Sequence, residues 1–247
     1  MRIGLFTDIH GNREAFDACL AHAERQLVRR HIFLGDLVGY GADPVYVVDQ
    51  VAERAARGAI ALLGNHDEAA ISGVSSGMND YAREAIAWTH DEIDADQRRF
   101  LASLPYAVEE DERLYVHSEA SAPNAWRYVT STGDAERSLH ATERRLTLCG
   151  HVHRPQIYHM STNKAAVLFV PSPGAPVPLL RTRKWLAVLP AVGQPRDQNP
   201  AAGYGIVDTD TNELTIWRVP YDIETAVEKI HAAGLPRLLA ARLFVGR

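Results

Sequence analysis

The sequence predicts an α/β protein in which a mostly parallel β-sheet is followed by a second sheet packed on it. Short apolar runs at residues 3–6, 31–34 and 59–63 are typical of buried strands. Helical patterns separate them, and strands that alternate with helices favour a parallel sheet with right-handed crossovers. From residue 155 onward, strand-like runs separated by Pro and Gly replace this alternation. That change indicates the second sheet.

In the first half of the chain, helices are predicted between these strands. One spans residues 44–57, where Pro44 lies in the first turn. A longer helical segment covers residues 79–104, with a break near Asp94 to Asp96. Further strands are predicted at residues 114–117 and 146–150. The first helix is indicated by apolar residues at helical spacing, which are Phe16, Leu20, Ala23 and Leu27.

The second half of the chain is predicted to be mostly β-structure that ends in a helix. Residues 204–208 and 214–219 flank a four-residue turn at 209–212 and form a predicted β-hairpin. A helix is expected after Asp222, ended by Gly234, and residues 237–247 are expected to form a short helical tail. The remaining predicted strands are residues 155–160, 166–170 and 185–189.

Composition and charge exclude several classes of protein. A chain of 247 residues, 46% hydrophobic and 23% charged, is long enough to bury a core without disulfides, and it is predicted to form one domain over 1–247. The net charge of −5 disfavours a nucleic-acid-binding role. Cys19 and Cys149 do not form a disulfide framework or a zinc motif, which favours a reducing, cytoplasmic setting. With neither a signal peptide nor about 20 consecutive apolar residues, no membrane association is expected.

Five short polar blocks each follow an apolar, strand-like run directly. Because ligands bind at the carboxyl edge of open α/β sheets, we expect the five blocks to meet at that edge of one parallel sheet. The blocks are Asp8-Ile9-His10, Gly35-Asp36, Gly64-Asn65-His66-Asp67, His117 and Gly150-His151-Val152-His153.

The side chains in these blocks are the donors of a metal site. Carboxylates, imidazoles and an amide oxygen suit Mn, Fe, Zn, Co or Ni, and the thiolates of a structural zinc site are missing. Seven ligands are too many for one small ion but are enough for two ions that share a carboxylate. The alternative is structural, because Asp36 or Asn65 after Gly is also ordinary turn chemistry, and Asp8 and His10 could cap a buried strand.

The order D-x-H, G-D, G-N-H-D, H, G-H-x-H resembles the calcineurin-like metallophosphoesterase superfamily. Residues 192–197, which read Val-Gly-Gln-Pro-Arg-Asp, also resemble a loop of its small bacterial phosphodiesterase-like branch. The resemblance implies a four-layer αββα sandwich of two mixed β-sheets flanked by helices. It also implies a hydrolase that cleaves a phosphomonoester or phosphodiester of a small substrate, nucleotides included.

The resemblance also assigns roles to the residues of the five blocks. It implies attack by a hydroxide that bridges two metal ions, manganese being favoured over Fe, Zn, Ni or Co. His66 would be the catalytic residue that contacts the phosphate or protonates the leaving oxygen. The first metal would be held by Asp8, His10, Asp36 and His153, and the second by Asp36, Asn65, His117 and His151.

The second block departs from the pattern of the protein-phosphatase branch. That branch has G-D-x-V-D-R-G, whereas residues 35–41 read Gly-Asp-Leu-Val-Gly-Tyr-Gly. The Asp that pairs with the catalytic His and the Arg that binds phosphate are both missing, which disfavours a protein phosphatase. Arg127 is a candidate substrate-binding residue. A nuclease and a non-catalytic scaffold of the same fold remain as alternatives, and the sequence leaves the oligomeric state open.

Overall fold

A computed structural model describes residues 1–73, 77–161 and 164–247. Twelve strands lie in these ranges and form two six-stranded sheets. The strands are β1 (Arg2–Phe6), β2 (Arg30–Phe33), β3 (Ile60–Ala61), β4 (Ala107–Glu110), β5 (Arg113–Val116), β6 (Leu146–Cys149), β7 (Gln156–Met160), β8 (Val167–Phe169), β9 (Pro176–Pro178), β10 (Lys184–Val188), β11 (Ala202–Asp208) and β12 (Glu213–Val219).

The described ranges also contain eight α-helices and a short 3₁₀ turn at Pro123–Ala125. Side-chain caps fix several helix starts; Asp94, for example, accepts hydrogen bonds from two backbone N–H groups of the helix that follows it. The helices are α1 (Arg13–Arg25), α2 (Pro44–Ala56), α3 (Asn65–Ser72), α4 (Asp80–Glu92), α5 (Ala95–Ala102), α6 (Thr132–His140), α7 (Ile223–Ala232) and α8 (Arg237–Val245).

Both sheets mix parallel and antiparallel strands. The first has the order β3-β2-β1-β11-β12-β9, in which β1, β2 and β3 are parallel and β11 is antiparallel to β1. The second has the order β4-β5-β6-β10-β7-β8, in which β5, β6 and β10 are parallel. In the first sheet the parallel strands form one edge, and antiparallel strands extend the sheet on the other side. In the second sheet the parallel strands lie in the middle, between antiparallel strands on both sides.

The two sheets pack face to face, and helices cover their outer faces. In β1, Ile3 and Leu5 point into the core between the sheets, where they join Leu148 and Trp185 of the second sheet. Phe6 points the other way, into the core under α1 and α2. On the far side, α6 packs on the outer face of β6 and β10. Four layers result, which confirms the αββα sandwich.

Most predicted elements are confirmed, with small shifts of their ends. The helical segment 79–104 breaks at Ile93 and Asp94, and the hairpin forms as β11 and β12. No sequence pattern predicted α3, α6, β4 or the edge strand β9. Glu109 and Glu110 of the acidic stretch 109–112 belong to β4.

The prediction that all five polar blocks follow strands of one sheet is wrong. Asp8, Asp36 and Asn65 follow β1, β2 and β3 of the first sheet, whereas His117 and His151 follow β5 and β6 of the second. The blocks still meet, because the carboxyl ends of both parallel sets open on the same side of the sandwich.

None of the helices in the described ranges is long and apolar enough to cross a membrane.

Candidate metal centre

Backbone hydrogen bonds join the loops that carry the predicted ligands. Asp8 N–H donates to Gly35 O at 3.1 Å, and His10 N–H donates to Asp36 O at 3.0 Å, which joins the loops after β1 and β2. Across the sandwich, His151 N–H donates to Asp8 Oδ2 at 3.0 Å. The loops of the two sheets therefore form one continuous hydrogen-bonded network around the site.

The predicted ligands form two overlapping clusters in which the ligand atoms lie within 4.8 Å of one another. Asp36 belongs to both clusters: its Oδ2 lies 3.7 Å from His10 Nε2 and 3.4 Å from His117 Nε2. A carboxylate in this position can bridge two ions. The first cluster is Asp8, His10, Asp36 and His153, and the second is Asp36, His117 and His151.

Backbone carbonyls hold one ring nitrogen of every histidine in these clusters. A carbonyl oxygen can only accept a hydrogen bond, so the nitrogen that faces it carries the hydrogen. In a neutral ring the other nitrogen is then a free lone pair, which is the arrangement of metal-binding histidines. The contacts are His10 Nδ1 to Val38 O at 3.0 Å, His117 Nδ1 to Leu34 O at 2.7 Å, His151 Nε2 to Trp126 O at 2.9 Å, and His153 Nδ1 to Gln194 O at 2.6 Å.

The free nitrogens face one another in pairs. His10 Nε2 lies 3.2 Å from His153 Nε2, and His117 Nε2 lies 3.2 Å from His151 Nδ1. Two lone pairs at this distance repel unless a cation or a proton lies between them. The donor set therefore fits a divalent metal ion.

Two buried oxygen atoms in the site have no hydrogen-bond partner among the described residues. They are Asp8 Oδ1 and Asn65 Oδ1. A buried polar atom without a partner is unfavourable by about 1–3 kcal/mol, and metal coordination would remove that cost. Asp8 Oδ1 lies 3.2 Å from His153 Nε2, at the first cluster. Asn65, which begins α3, lines the adjoining cleft together with His151 of the second cluster.

Five of the seven predicted ligands have a positive φ, the left-handed conformation that side chains other than Gly rarely adopt. Such residues typically cost about 1–3 kcal/mol each and concentrate at functional sites. The five residues are Asp8 (φ 52°), His10 (51°), Asp36 (52°), His151 (67°) and His153 (62°). The left-handed backbone conformation of these residues turns their side chains toward the centre of the site.

Charges within the site shift its pKa values in opposite directions. Burial alone would raise the pKa of Asp8 and Asp36, but the neighbouring His153 and His117 respectively hold both values below the usual range. Burial alone would lower the pKa of His117, but Asp36 raises it to about 9. In the metal-free protein, a proton on His117 therefore takes the place of a cation.

His66 lies beside the ligands in an environment that keeps it neutral. Its backbone N–H donates to Asp36 Oδ1 at 2.8 Å, and its ring lies 4.7 Å from that of His10. Burial lowers the pKa of His66 to about 4, and the charge of Arg196 contributes to the same shift. The ring Nδ1 is buried without a hydrogen-bond partner in the described residues. Among the residues that the structure describes, no carboxylate forms an ion pair or hydrogen bond with the ring.

Gly39 and Tyr40 stand where the protein-phosphatase pattern has Asp and Arg. A Cβ on Gly39 would lie 2.5 Å from His66 Nδ1, and the φ of +85° also favours Gly. The Tyr40 ring packs on His66 with 4.5 Å between ring centroids. His66 is thus positioned by ring packing against Tyr40 rather than by an ion pair.

A cleft of about 640 Å³ opens beside the metal centre. Tyr128 stacks on His151 at 4.2 Å between ring centroids, and Trp126 Nε1 donates to Glu68 Oε2 at 3.0 Å. The cleft is therefore aromatic, with few charges. Its wall includes Tyr40, Asn65, His66, Glu68, Trp126 and Tyr128.

The structure brings every predicted site residue to this region except the Arg127 side chain. Arg127 Nη1 lies 3.5 Å from Glu119 Oε1, and Arg127 is not part of the cleft wall. Its substrate-binding role stays a prediction. Trp126 and Gln194, whose carbonyls orient His151 and His153, were not predicted from the sequence. Backbone acceptors have no sequence signal, because every residue carries one.

Asp67 is a further residue whose role the sequence did not reveal. Its Oδ1 accepts hydrogen bonds from the N–H groups of Leu37 at 2.8 Å and Val38 at 3.1 Å, and its Oδ2 accepts one from Gly64 N–H at 3.0 Å. It thereby joins the loop after β2 to the start of α3. The last residue of the G-N-H-D block is therefore a structural hydrogen-bond acceptor.

A buried cluster of carboxylates and imidazoles beside a cleft defines a metal-dependent enzyme site, and comparison with known proteins identifies the family. The model of the calcineurin-like phosphoesterase superfamily domain matches residues 1–212. The chain is 32% identical to an uncharacterized protein of Methanocaldococcus jannaschii in an alignment over 258 residues, gaps included. The alignment covers 99% of this chain and 98% of that protein. The chain therefore belongs to the calcineurin-like phosphoesterase superfamily.

Solved structures agree with this assignment. A metallophosphoesterase from Sphaerobacter thermophilus is 33% identical, with a TM-score of 0.87 over 100% of this chain and 99% of that one. A hypothetical protein from Pyrococcus horikoshii is 16% identical and shares the fold, with a TM-score of 0.79 over 100% of this chain and 98% of that one. The family and the buried Asp/His clusters together indicate a phosphoester hydrolase that depends on divalent metal.

Proposed function

We propose that the protein is a dinuclear metallophosphoesterase that hydrolyses a phosphomonoester or phosphodiester bond of a small substrate. The observation that carries this proposal is the set of four histidines whose outer nitrogens donate to carbonyls and whose inner nitrogens converge on two carboxylates. Asp8, His10, Asp36 and His153 would hold one ion. Asp36, Asn65, His117 and His151 would hold the other, with Asp36 shared.

The proposed cofactor is a pair of divalent metal ions, for which manganese is the first candidate. Oxygen and imidazole donors without thiolates suit Mn, and they also suit Fe, Zn, Ni and Co. When bound, the two ions would act as Lewis acids toward phosphoryl oxygens and make a water molecule acidic enough to attack phosphorus near neutral pH.

His66 is the proposed catalytic residue. Its pKa of about 4 in the metal-free protein makes the ring neutral at physiological pH, so that one nitrogen donates and the other accepts. An anionic phosphate beside the ring would raise that pKa and favour a proton on the ring. His66 would then hydrogen-bond the phosphoryl oxygen and deliver a proton to the leaving oxygen. The backbone N–H of His66 donates to Asp36 Oδ1 at 2.8 Å, which holds the start of α3 beside the proposed bridging carboxylate.

Hydrolysis of p-nitrophenyl phosphate and bis-p-nitrophenyl phosphate by manganese-loaded protein tests the proposal. Wild-type protein is expected to hydrolyse at least one ester, and the ester it prefers distinguishes a phosphatase from a phosphodiesterase. His66→Ala should lower kcat by about 100-fold or more, since general acid–base catalysis typically contributes 10²–10⁴. Metal content, measured by mass spectrometry, should stay unchanged in this variant.

The exposed His140 provides the matched control, and His140→Gln should behave as wild type. Full activity in His66→Ala would overturn the role of that residue. Metal-loaded wild-type protein that hydrolyses neither ester would instead favour the non-catalytic scaffold.

A further inference from the structure

A second, strongly basic pocket adjoins the cleft of the metal centre. Its volume is about 570 Å³, and four arginines contribute to its wall. Tyr40, Asn79 and Tyr128 line both cavities, so the two adjoin at these side chains. The four arginines are Arg154, Arg196, Arg242 and Arg247.

The charge of this pocket is not neutralised from within the protein. None of the four guanidinium groups forms an ion pair with a carboxylate of the described residues, although the whole chain has a net charge of −5. Asp197 is the acidic residue in the wall, and it pairs with Arg218 instead. Four arginines in one pocket wall that form no ion pair with a carboxylate of the described residues can bind an external anion.

Arg196 lies at the boundary between the pocket and the catalytic cleft. Its guanidinium carbon is 5.8 Å from the centroid of the Tyr40 ring, and the His66 ring packs on the same tyrosine with 4.5 Å between ring centroids. Arg196 Nη2 donates to Gln194 Oε1 at 3.1 Å and to Tyr40 Oη at 3.4 Å. Its Nε is buried and has no partner among the described residues. This guanidinium is therefore held in place with hydrogen-bonding capacity left for a ligand.

The other arginines come from different parts of the fold. Arg154 follows the ligand His153 directly, and its Nε donates to Arg196 O at 2.7 Å. Arg242 lies in α8, and Gln198 N–H, in the loop that follows Arg196, donates to Gly246 O at the end of α8 at 2.8 Å. The pocket is thus assembled by three elements that are hydrogen-bonded to one another.

We propose that this pocket binds a second phosphate group of the same substrate whose phosphoester lies at the metal centre. The inference rests on the proposed function and narrows its substrate class to small molecules with two phosphate groups. Guanidinium groups suit this role, because they donate paired hydrogen bonds to phosphate oxygens. Tyr40 and Tyr128, which line both cavities, would contact the part of the substrate that joins its two phosphates.

Calorimetric titration of manganese-loaded, dialysed protein tests the inference without requiring turnover. The probes are alkane-α,ω-bisphosphonates of increasing chain length, each compared with the alkylphosphonate of the same length. At one chain length, the bisphosphonate should bind about tenfold or more tightly than its partner, because charge-assisted hydrogen bonds are added at the second site. A preference that peaks at one length would report the separation of the two sites.

Arg242→Gln should bring the ratio of the two affinities close to one, and Arg154→Gln, in another element, should act in the same direction. Arg237→Gln removes the same charge from an exposed position of α8 outside the pocket and should keep the wild-type ratio. Equal affinities in the wild type would overturn the inference. Two independent equivalents of alkylphosphonate, with no gain for any bisphosphonate, would overturn it too, because the anions would then belong to separate molecules.

Hydrolysis of p-nitrophenyl phosphate by the same preparations separates this inference from the proposed function. If the protein is active but shows no preference for bisphosphonates, the proposed function stands and the two-phosphate substrate class is rejected. If the protein is inactive but does show the preference, the arginine pocket stands as a binding site and the hydrolase assignment is rejected.

Discussion

At each ligand histidine, a backbone carbonyl determines which ring nitrogen faces the metal centre. The sequence identifies the histidines by their position after strands, but it does not identify the carbonyls. Trp126, whose carbonyl orients His151, lies 25 residues away along the chain in a left-handed conformation. The sequence therefore predicted which side chains cluster, whereas their orientation depends on loop conformations that a motif does not encode.

His117 should make the metal-free protein sensitive to mildly alkaline pH. Its pKa is raised to about 9 in the folded state, because Asp36 outweighs the effect of burial, while the ordinary value is 6.5. A raised folded-state pKa contributes stability that is fully present below pH 6.5 and is lost as pH rises through 9. Chelator-treated protein should therefore show a falling Tm across this window in thermal unfolding scans.

Metal affinity should increase as pH rises over the same window, because a bound ion must displace the proton from His117. His117→Gln, treated with the same chelator, should show a flatter Tm profile, and His140→Gln serves as the control with an exposed histidine removed. A wild-type Tm that stays constant from pH 6.5 to pH 9 would contradict the assigned protonation of His117.

At the level of elements, the site depends on how the loops after β2 and β3 are joined. Asp67 accepts hydrogen bonds from the N–H groups of Leu37 and Val38 in the first of these loops and from Gly64 N–H in the second, directly before α3. Burial raises its pKa to about 7, assisted by the charge of Asp36. The carboxylate is thus retained at some electrostatic cost, which indicates that its three hydrogen bonds matter to the fold.

Asp67→Ala should destabilise the protein by about 3 kcal/mol or more, because three buried N–H groups lose their acceptor. Urea unfolding of metal-free protein measures this loss. Asp134 is the matched control, since it is likewise the third residue of its helix, α6, and accepts the N–H of the residue before that helix, but lies on a more exposed surface. Asp134→Ala should cost about 1 kcal/mol. Equal losses in the two variants would contradict the special role of Asp67.

The elements themselves could largely be predicted from the sequence, but their pairing could not. Apolar runs identified β1, β2, β5 and β6, because buried parallel strands are continuously hydrophobic. Periodicity does not encode which strands are neighbours, so the ligand-bearing strands were wrongly assigned to one sheet. The four-layer arrangement came from the family resemblance and not from the pattern. The edge strand β9 escaped detection because it is three residues long and begins and ends with Pro.

At the scale of the whole molecule, the metal centre lies where the two sheets meet. Asp8, His10, Asp36 and Asn65 come from the first sheet, while His117, His151 and His153 come from the second. An ion bound here would cross-link the two halves of the sandwich. In the metal-free protein, the facing imidazole nitrogens and the left-handed ligands leave this junction unfavourable. The overall stability should therefore depend on metal.

Manganese at about 100 times its Kd should raise the Tm of chelator-treated protein by about 10 °C or more. Each bound ion contributes about 2.7 kcal/mol at that concentration, and one kcal/mol shifts the Tm of a chain of this size by about 2–4 °C. Differential scanning calorimetry with and without the ion measures the shift. His140→Gln, which removes an exposed histidine outside the site, should retain the full shift.

Ligand variants then distinguish one ion from two. Asp36 belongs to both clusters, so Asp36→Ala should lose most of the Tm shift. His151 belongs to the second cluster alone, and His151→Ala should keep about half of the shift if the first ion still binds. A complete loss in His151→Ala would mean that the ions bind only as a pair or that a single ion uses both sets. A full shift in Asp36→Ala would show that the stabilising metal binds elsewhere, and the bridging position of this carboxylate would have to be abandoned.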